Sequence, residues 1–406
     1  MRPLLPLHRL ITLLTLSEIG EASPAFLRQP NSSRWSYRIP SHAQNGTALA
    51  RFNIATPDMT TLDTETLLSL DAPHLSNVTD SAFDWWYFDA VSETDPRDSF
   101  VVTFFTSSAT AFPFLDPTES SILIAYLWAS FANGTVFSDY VPATLATVAG
   151  GEDAKFPSAG KWASTGFNWL ALDAELSEYQ IIIASERMQV EGRVSLSSQA
   201  APHLPCGIQS ETTTLELAPH IGWACLKPDA VGSVDITIQG SRLQFQGPAY
   251  HDKNWSDRPF TESVQSWYWG HGRVGSYSIV WFSYLALNDP TNTTYVSSYV
   301  ARDGEVLISA CSSSLLTVRP VGKDESTGGR YPPRAGDIPV GFQLVFDLGE
   351  ANGWLKVNVT AESVVAGDEE YYMRWTGSLT GEAVEGKIAQ SSLDGVAVFE
   401  QFVLLE

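Results

Sequence analysis

The chain has 406 residues, 44% hydrophobic and 12% aromatic, and a formal net charge of −22. That length suits two domains and leaves material for a large core. The acidic balance excludes a phosphate-gripping surface for nucleic acid or anionic lipid, which needs basic patches, and acids spread along the chain read as solvated exterior.

The N-terminus, "MRPLLPLHRLITLLTLSEIGEASPAF", has a basic start in Arg2 and Arg9, a short apolar run over Leu10–Leu16, and small residues at Ala22 and Ser23. This pattern predicts a secretory signal peptide over residues 1–23; the alternative is a disordered leader. The apolar run is too short to span a bilayer and no later stretch reaches 18 apolar residues, so no membrane insertion is expected. Seven of the eleven asparagines stand in N-x-S/T sequons: Asn31, Asn45, Asn77, Asn133, Asn254, Asn292 and Asn358. Such enrichment fits a chain that enters the secretory pathway, and each sequon predicts a surface position. Residues 24–60 are polar and rich in Ser, Asn and Pro, and read as a loose lead-in.

Beyond the lead-in, "TTLDTETLLSL" alone looks helical. The rest alternates with period two, as in "SFVVTFFTSS", "YQIIIASERMQVEGRVSLSS", "SYSIVWFSYLAL" and "GVAVFEQFVLL", with Gly, Asn, Asp or Pro between runs. "FANGTVF" carries Asn-Gly and "ARDGEVL" Asp-Gly, both hairpin signals. The expectation is an all-β protein of barrels or sandwiches. Polar and turn residues gather at 246–262, which places a boundary between an N-terminal β domain, 61–255, and a C-terminal one, 256–406. In "FDWWYFDA", alternation puts Asp84, Trp86 and Phe88 on one face and Trp85, Tyr87 and Asp89 on the other, so each face holds an acid among aromatic rings.

Several motifs have two readings. "GHGRVG" at 270–275 matches G-x-G-x-x-G, but a strand-like run follows where a dinucleotide site needs a helix, so the glycines are expected to serve a bend. His251, Asp252 and His271 fit no metal-ligand spacing, there is no H-E-x-x-H, and no G-x-S-x-G elbow occurs. Cys206, Cys225 and Cys311 allow either a Cys206–Cys225 disulfide with Cys311 free, or three buried thiols. "YHDKNW" at 250–255 is either a polar turn at the domain junction or part of a site; a glycan on Asn254 would require exposure. "SWYWGH" at 266–271, Trp354 and "YYMRWTG" at 371–377 add further rings. Any one of these aromatics is ordinary core material, yet thirteen tryptophans exceed what a plain sandwich core needs and suggest an aromatic-lined cavity for a large apolar ligand.

"FDWWYFDA", "GPAYHDKNW" and "SWYWGHGRVGSYS" resemble the hydroxyneurosporene synthase-like, lipocalin-like superfamily, and within it the fungal Diels–Alderases, over most of residues 75–406. The resemblance implies two β-barrel or β-sandwich domains with a pocket at or near their interface and no cofactor. It implies a small-molecule polyene substrate folded for an intramolecular [4+2] cycloaddition, of decalin, cytochalasan or hetero-Diels–Alder type. It assigns Asp84 to the substrate's polar head with Trp86 beside it as wall. Trp255, Trp267, Trp269 and Trp354 are further wall candidates, and Tyr268, His271 and Arg374 are candidate donors to a carbonyl. A terpenoid hydratase or isomerase and a non-catalytic lipid or pigment binder are the competing readings. The leader and sequons depart from the cytosolic decalin-forming members.

Overall fold

The computed structural model describes residues 34–56, 61–323, 328–385 and 388–404. The expected leader and Asn31 lie outside the described residues. Within the stretch expected as a loose lead-in, Trp35–Pro40 forms the edge strand of a large sheet, and Asn53–Thr56 pairs with Glu211–Thr214. The "TTLDTETLLSL" run does form a helix, Thr64–Ser69. It starts at Asp63, whose carboxylate accepts the Thr66 amide at 2.8 Å, an N-cap that satisfies one of the orphan donors of the first turn.

Two large antiparallel sheets hold almost everything else. The first has thirteen strands and the second nine. In the first, the strands run in space Ile221–Ile238, Ser241–Ser256, Phe83–Val91, Ser99–Thr106, Leu123–Ser130 and Val136–Pro142 along the part that meets the second sheet. The second runs Glu305–Ala310, Thr294–Arg302, Tyr277–Ala286, Val264–Val274, Ile388–Val403, Tyr372–Glu385, Gly353–Gly367, Gly341–Leu348 and Leu316–Val321. The chain crosses between sheets at 257–263, through the short helix Phe260–Ser263. The protein is thus all-β, with each sheet closing over its own core and a third apolar cluster between the two.

"YHDKNW" is not a turn. It lies inside the Ser241–Ser256 strand and pairs antiparallel with "DWWYFD": Trp255 faces Asp84, Asn254 faces Trp85, Lys253 faces Trp86, Asp252 faces Tyr87, His251 faces Phe88 and Tyr250 faces Asp89. A polar run survives inside a buried strand because each side chain finds a partner: Lys253 at Asp84, Asn254 at Trp85, Asp252 at Trp223 and Tyr250, and His251 at Asp71. "GHGRVG" is likewise mostly strand. A Cβ on Gly270 would fall 2.3 Å from the Trp281 ring, so this glycine serves close packing, and only Gly275, at φ +58°, occupies the turn.

Cysteine pairing differs from both sequence readings. Cys206 is bonded to Cys311, 105 residues away, and Cys225 is the free, buried thiol. Cys225 points into the packing between the sheets, whereas the 199–207 segment carries Cys206 across to the end of the Glu305–Ala310 strand. Sequence proximity gave no measure of that contact.

Candidate active site

Strand Phe83–Val91 is buried along its whole length because both of its faces are covered. Alternation sorts its residues as expected, but the cavity lies on the opposite face from the one assigned to it. Trp86 and Phe88 enter the core of the first sheet, while Phe83, Trp85 and Tyr87 enter the cluster between the sheets.

On the core face, Asp84 forms a 2.7 Å ion pair with Lys253, and its other oxygen accepts the His74 amide at 2.9 Å. The Lys253 ammonium sits 3.7 Å from the Trp86 ring centre, a desolvated cation–π contact, and also donates to the Ala72 carbonyl. Burial pushes the Asp84 carboxyl up and the Lys253 ammonium down, against their mutual attraction. Trp86 donates to the Asp71 carbonyl and Trp255 to the Arg51 carbonyl, so both rings are core supports. His251 stacks on Phe88 and hydrogen-bonds Asp71, a second buried polar pair on the same face. Tyr268 packs 5.0 Å from Phe342 in the second core, and Trp354 sits at the far end of the strand whose other end reaches the cavity. Asp84, Trp86, Trp255, Tyr268 and Trp354 are therefore apart from the cavity, each on the far side of a sheet or the far end of a strand.

Between the sheets lies a cavity of about 540 Å³, a size suited to a drug-sized ligand. Trp85, Phe105, Trp128, Trp267, Trp269 and Phe402 are among its aromatic walls. Val136 and Val364, nearly half exposed, mark its mouth. The structure brings together Trp267, Trp269 and Arg374 of the expected residues. His271 stands behind the wall: its Nε2 bonds both oxygens of Asp89, at 2.8 and 3.0 Å, and Asp89 also accepts the Tyr87 hydroxyl at 2.6 Å. That triad fixes Tyr87, whose ring lies 4.9 Å from the Arg374 guanidinium.

Arg374 donates from Nε and Nη2 to one oxygen of Glu400, at 3.0 and 2.8 Å. Burial works against both charges; it raises the Glu400 carboxyl, while Tyr372, Tyr87 and Glu400 hold the guanidinium above its ordinary range. Asp252 receives Trp223 Nε1 at 2.7 Å and the Tyr250 hydroxyl at 2.8 Å. Its pKa is raised to about 7, by burial first and by the nearby Glu400 and Asp89 charges, which outweigh those two hydrogen bonds. Asn254 accepts from Trp85 Nε1 at 3.1 Å and is buried beside the cavity, where an N-linked glycan has no exit.

Four buried donors on residues that line this cavity find no acceptor among the described residues: Asn254 Nδ2, Trp267 Nε1, Trp269 Nε1 and Arg374 Nη1. Desolvated donors of this kind favour a ligand that brings acceptors, because leaving each unpaired costs about 1–3 kcal/mol. Among the described residues no group of three or more His, Cys, Asp or Glu side chains could hold a metal ion. His251, Asp252 and His271 do not converge, since His251 faces the first core and Asp252 the cavity.

Tyr87, Asp252, Glu400 and Asn254 were not singled out from sequence as site groups. Glu400 had a signal, an acid in the apolar alternation of "VAVFEQFV", whereas Asp252 lay within the polar run "YHDKNW", which reads as a junction turn or as part of a site.

With this geometry in place, the comparisons with known proteins assign the class. The Diels–Alderase-like family model matches residues 48–368. The quinolone epoxide rearrangement protein asqO of Emericella nidulans is 33% identical over 82% of this chain and 87% of its own length. Its counterpart penF of Penicillium thymicola is 32% identical over 82% and 88%. The Diels–Alderase phmD of Phaeosphaeria nodorum is 25% identical over 59% of this chain and 64% of its own. A crystal structure of CghA shares the fold, with a TM-score of 0.69 and 15% identity, over 91% of this chain and 99% of that one. The chain belongs to the Diels–Alderase-like family. Membership supports the pericyclase or cyclase class expected from the sequence, a cofactor-independent enzyme of the isomerase type.

Proposed function

We propose that the cavity between the sheets binds a polyene-bearing secondary metabolite and closes a ring in it by an intramolecular [4+2] cycloaddition. The observation that carries this reading is the pairing of aromatic walls with four donors that lack acceptors. The rings impose a folded shape on a flexible chain, and aligning two ends of one molecule removes up to about 7–11 kcal/mol of a barrier that is largely entropic. The donors grip a conjugated carbonyl and stabilise the charge that develops on its oxygen in the transition state. No proton needs to move.

A second reading, rearrangement of a quinolone epoxide, is supported by the two relatives of that name and by one observation: an acid, Asp252, stands at the cavity. Opening an epoxide needs a proton on its oxygen, which walls alone do not supply.

The deciding experiment incubates the purified full chain with an acyclic polyenoyl tetramic acid and, in parallel, with a quinolone epoxide, and resolves products on a chiral column against buffer. A faster reaction to one dominant cycloadduct is expected. Turnover of the epoxide alone would replace the first reading by the second, and no change in either arm would overturn both.

Passage through the secretory pathway is also proposed. It is supported by the Cys206–Cys311 bond, which suits an oxidising compartment, and by the exposure of Asn45, Asn133, Asn292 and Asn358. Asn77 is half-buried and Asn254 buried, so the glycan-bearing set is expected to exclude Asn254. A mass shift on endoglycosidase treatment of protein purified from its native host checks this; an unchanged mass would refute it.

A further inference from the structure

Six carboxylates are buried among the described residues: Asp71, Asp84, Asp89, Asp229, Asp252 and Glu400. Five of them have a Lys, Arg or His nitrogen within 3.0 Å, from His251, Lys253, His271, Arg273 and Arg374 respectively. Asp252 has none within 4.0 Å. Its two hydrogen bonds come from neutral groups, Trp223 and Tyr250, and both go to Oδ2. Oδ1 takes no hydrogen bond from the described residues, and Asp252 lines the cavity.

The surroundings make the anion costly. Tyr250 lies on its own strand, Tyr87 and Asp89 on one neighbouring strand, and Cys225 with Lys227 beyond it on the other. From the second sheet come His271, Arg374 and Glu400, but His271 is committed to Asp89 and Arg374 to Glu400. A buried carboxyl without a cation, beside two carboxylates that own theirs, keeps its proton.

We propose that Asp252 stands in the cavity as a neutral carboxylic acid whose Oδ1–H donates to the reacting oxygen of the substrate, an epoxide oxygen or a conjugated carbonyl oxygen. This deepens the reading of the cavity as the active site and holds for either reaction. In a cycloaddition the hydrogen bond strengthens as charge gathers on the carbonyl, and the proton stays on Asp252. In a rearrangement the proton passes to the epoxide oxygen, and the C–O bond breaks with its electron pair going to that oxygen. A neighbouring substituent then migrates with its bonding pair to the electron-poor carbon. The resulting protonated carbonyl returns its proton to the Asp252 carboxylate, which Trp223 and Tyr250 stabilise meanwhile. The cycle is balanced, with no outside acid or base.

The sign of the pH effect follows. The carboxyl pKa is raised in the folded chain, to about 7 from 3.8, so the acid form is present below neutral and is lost as pH rises through about 7. Activity that depends on it falls about tenfold per pH unit above that point.

Difference infrared spectroscopy on the full chain reads the acid without turnover. A protonated-carboxyl band should fade as pH rises through neutrality, should shift on adding the quinolone epoxide or the polyenoyl tetramic acid, and should be missing from Asp252→Asn. In kinetics, Asp252→Asn should lose at least about 100-fold in epoxide rearrangement. It should lose far less in cycloaddition, because an amide still donates, and its profile should be flat across pH 6–8. Asp252→Asn that retains the wild-type pH profile, absence of a band titrating near neutrality, or a band that neither probe shifts would each overturn the proposal. If Asp252→Asn fails to fold, the wild-type band and its shift decide alone. A shifting band with no turnover of either probe would sink the reaction assignment and leave the acid in place.

Discussion

The two sheets meet along one interface whose two sides are built by opposite rules. On one side everything polar is bonded. His203 holds Ser309 and Ser297 hydroxyls with its two ring nitrogens, each at 2.8 Å, and Ser297 donates on to the Pro205 carbonyl at 2.7 Å. Tyr299 donates to the Ala201 carbonyl, and Asp229 receives both Arg273 and Ser278. The Cys206–Cys311 bond crosses there too. Burial keeps His203 neutral, with its pKa lowered to about 3, so this side does not change with ordinary pH. On the other side, four donors go without acceptors and one acid without a cation. The same physical rule explains both. A buried polar group is costly unless paired, so the closed side spends its pairs on fixing the sheets, and the open side leaves its donors for a ligand.

The largest effect expected from breaking this arrangement is at Arg374, which serves both purposes. Arg374→Met removes the cation that pairs with buried Glu400 and leaves an uncompensated carboxylate. Loss of about 3–5 kcal/mol in urea unfolding is expected, with loss of turnover at temperatures where the variant stays folded. The double variant Arg374→Met, Glu400→Gln should recover much of the stability and none of the turnover. A single variant as stable as wild type would show that the pair is not holding the site.

Next comes the closed side alone. Cys206→Ser with Cys311→Ser opens a loop of 105 residues, and a disulfide typically contributes about 2–4 kcal/mol, somewhat less than chain entropy alone would give for a loop this long. Stability should fall by that amount while kcat/KM holds within about twofold, because the hydrogen bonds of His203, Tyr299 and Asp229 still align the sheets. A large fall in kcat/KM with little loss of stability would mean that the two sides are not independent.

The contrast between the sides also explains what the sequence disclosed. Alternation in "DWWYFD" is a local property, and it sorted the strand's residues onto faces correctly. Which face meets the cavity is not local. Each face carries an acid among rings, and the choice depends on partners far along the chain: Lys253, 169 residues from Asp84, and His271, 182 residues from Asp89. "YHDKNW" looked like a junction because five polar side chains in a row contradict a buried strand; only its register against "DWWYFD" resolves the contradiction. Trp267 and Trp269 were legible as rings sharing one face, and the structure places both, with Arg374, at the cavity. Of the carboxylates that define their electrostatics, Glu400 was hidden in ordinary strand text and Asp252 in a polar run that reads as a turn. The resemblance carried the fold and the reaction class further than any single residue did.

The smallest expected effect is the sharpest test of the open side. Trp267→Phe keeps an aromatic wall but trims the buried indole to a phenyl ring, and with it removes Nε1, which has no acceptor among the described residues. A donor already bonded within the fold would cost stability when removed, about 0.5–1.5 kcal/mol. Trp267 has no such bond to lose, so its substitution should cost only the packing of the trimmed ring, about 1–3 kcal/mol at this buried position. Substrate loses one hydrogen bond, and KM or the product ratio should move by about tenfold or less. Trp223→Phe is the matched control, since Trp223 Nε1 is bonded to Asp252, and it should lower stability as well as rate. If both variants behaved alike in unfolding, the unpaired donors would be a cost borne by the fold and not a feature of the site. If Trp223→Phe is the more destabilised by about the 0.5–1.5 kcal/mol of one hydrogen bond, the open side is defined by its ligand.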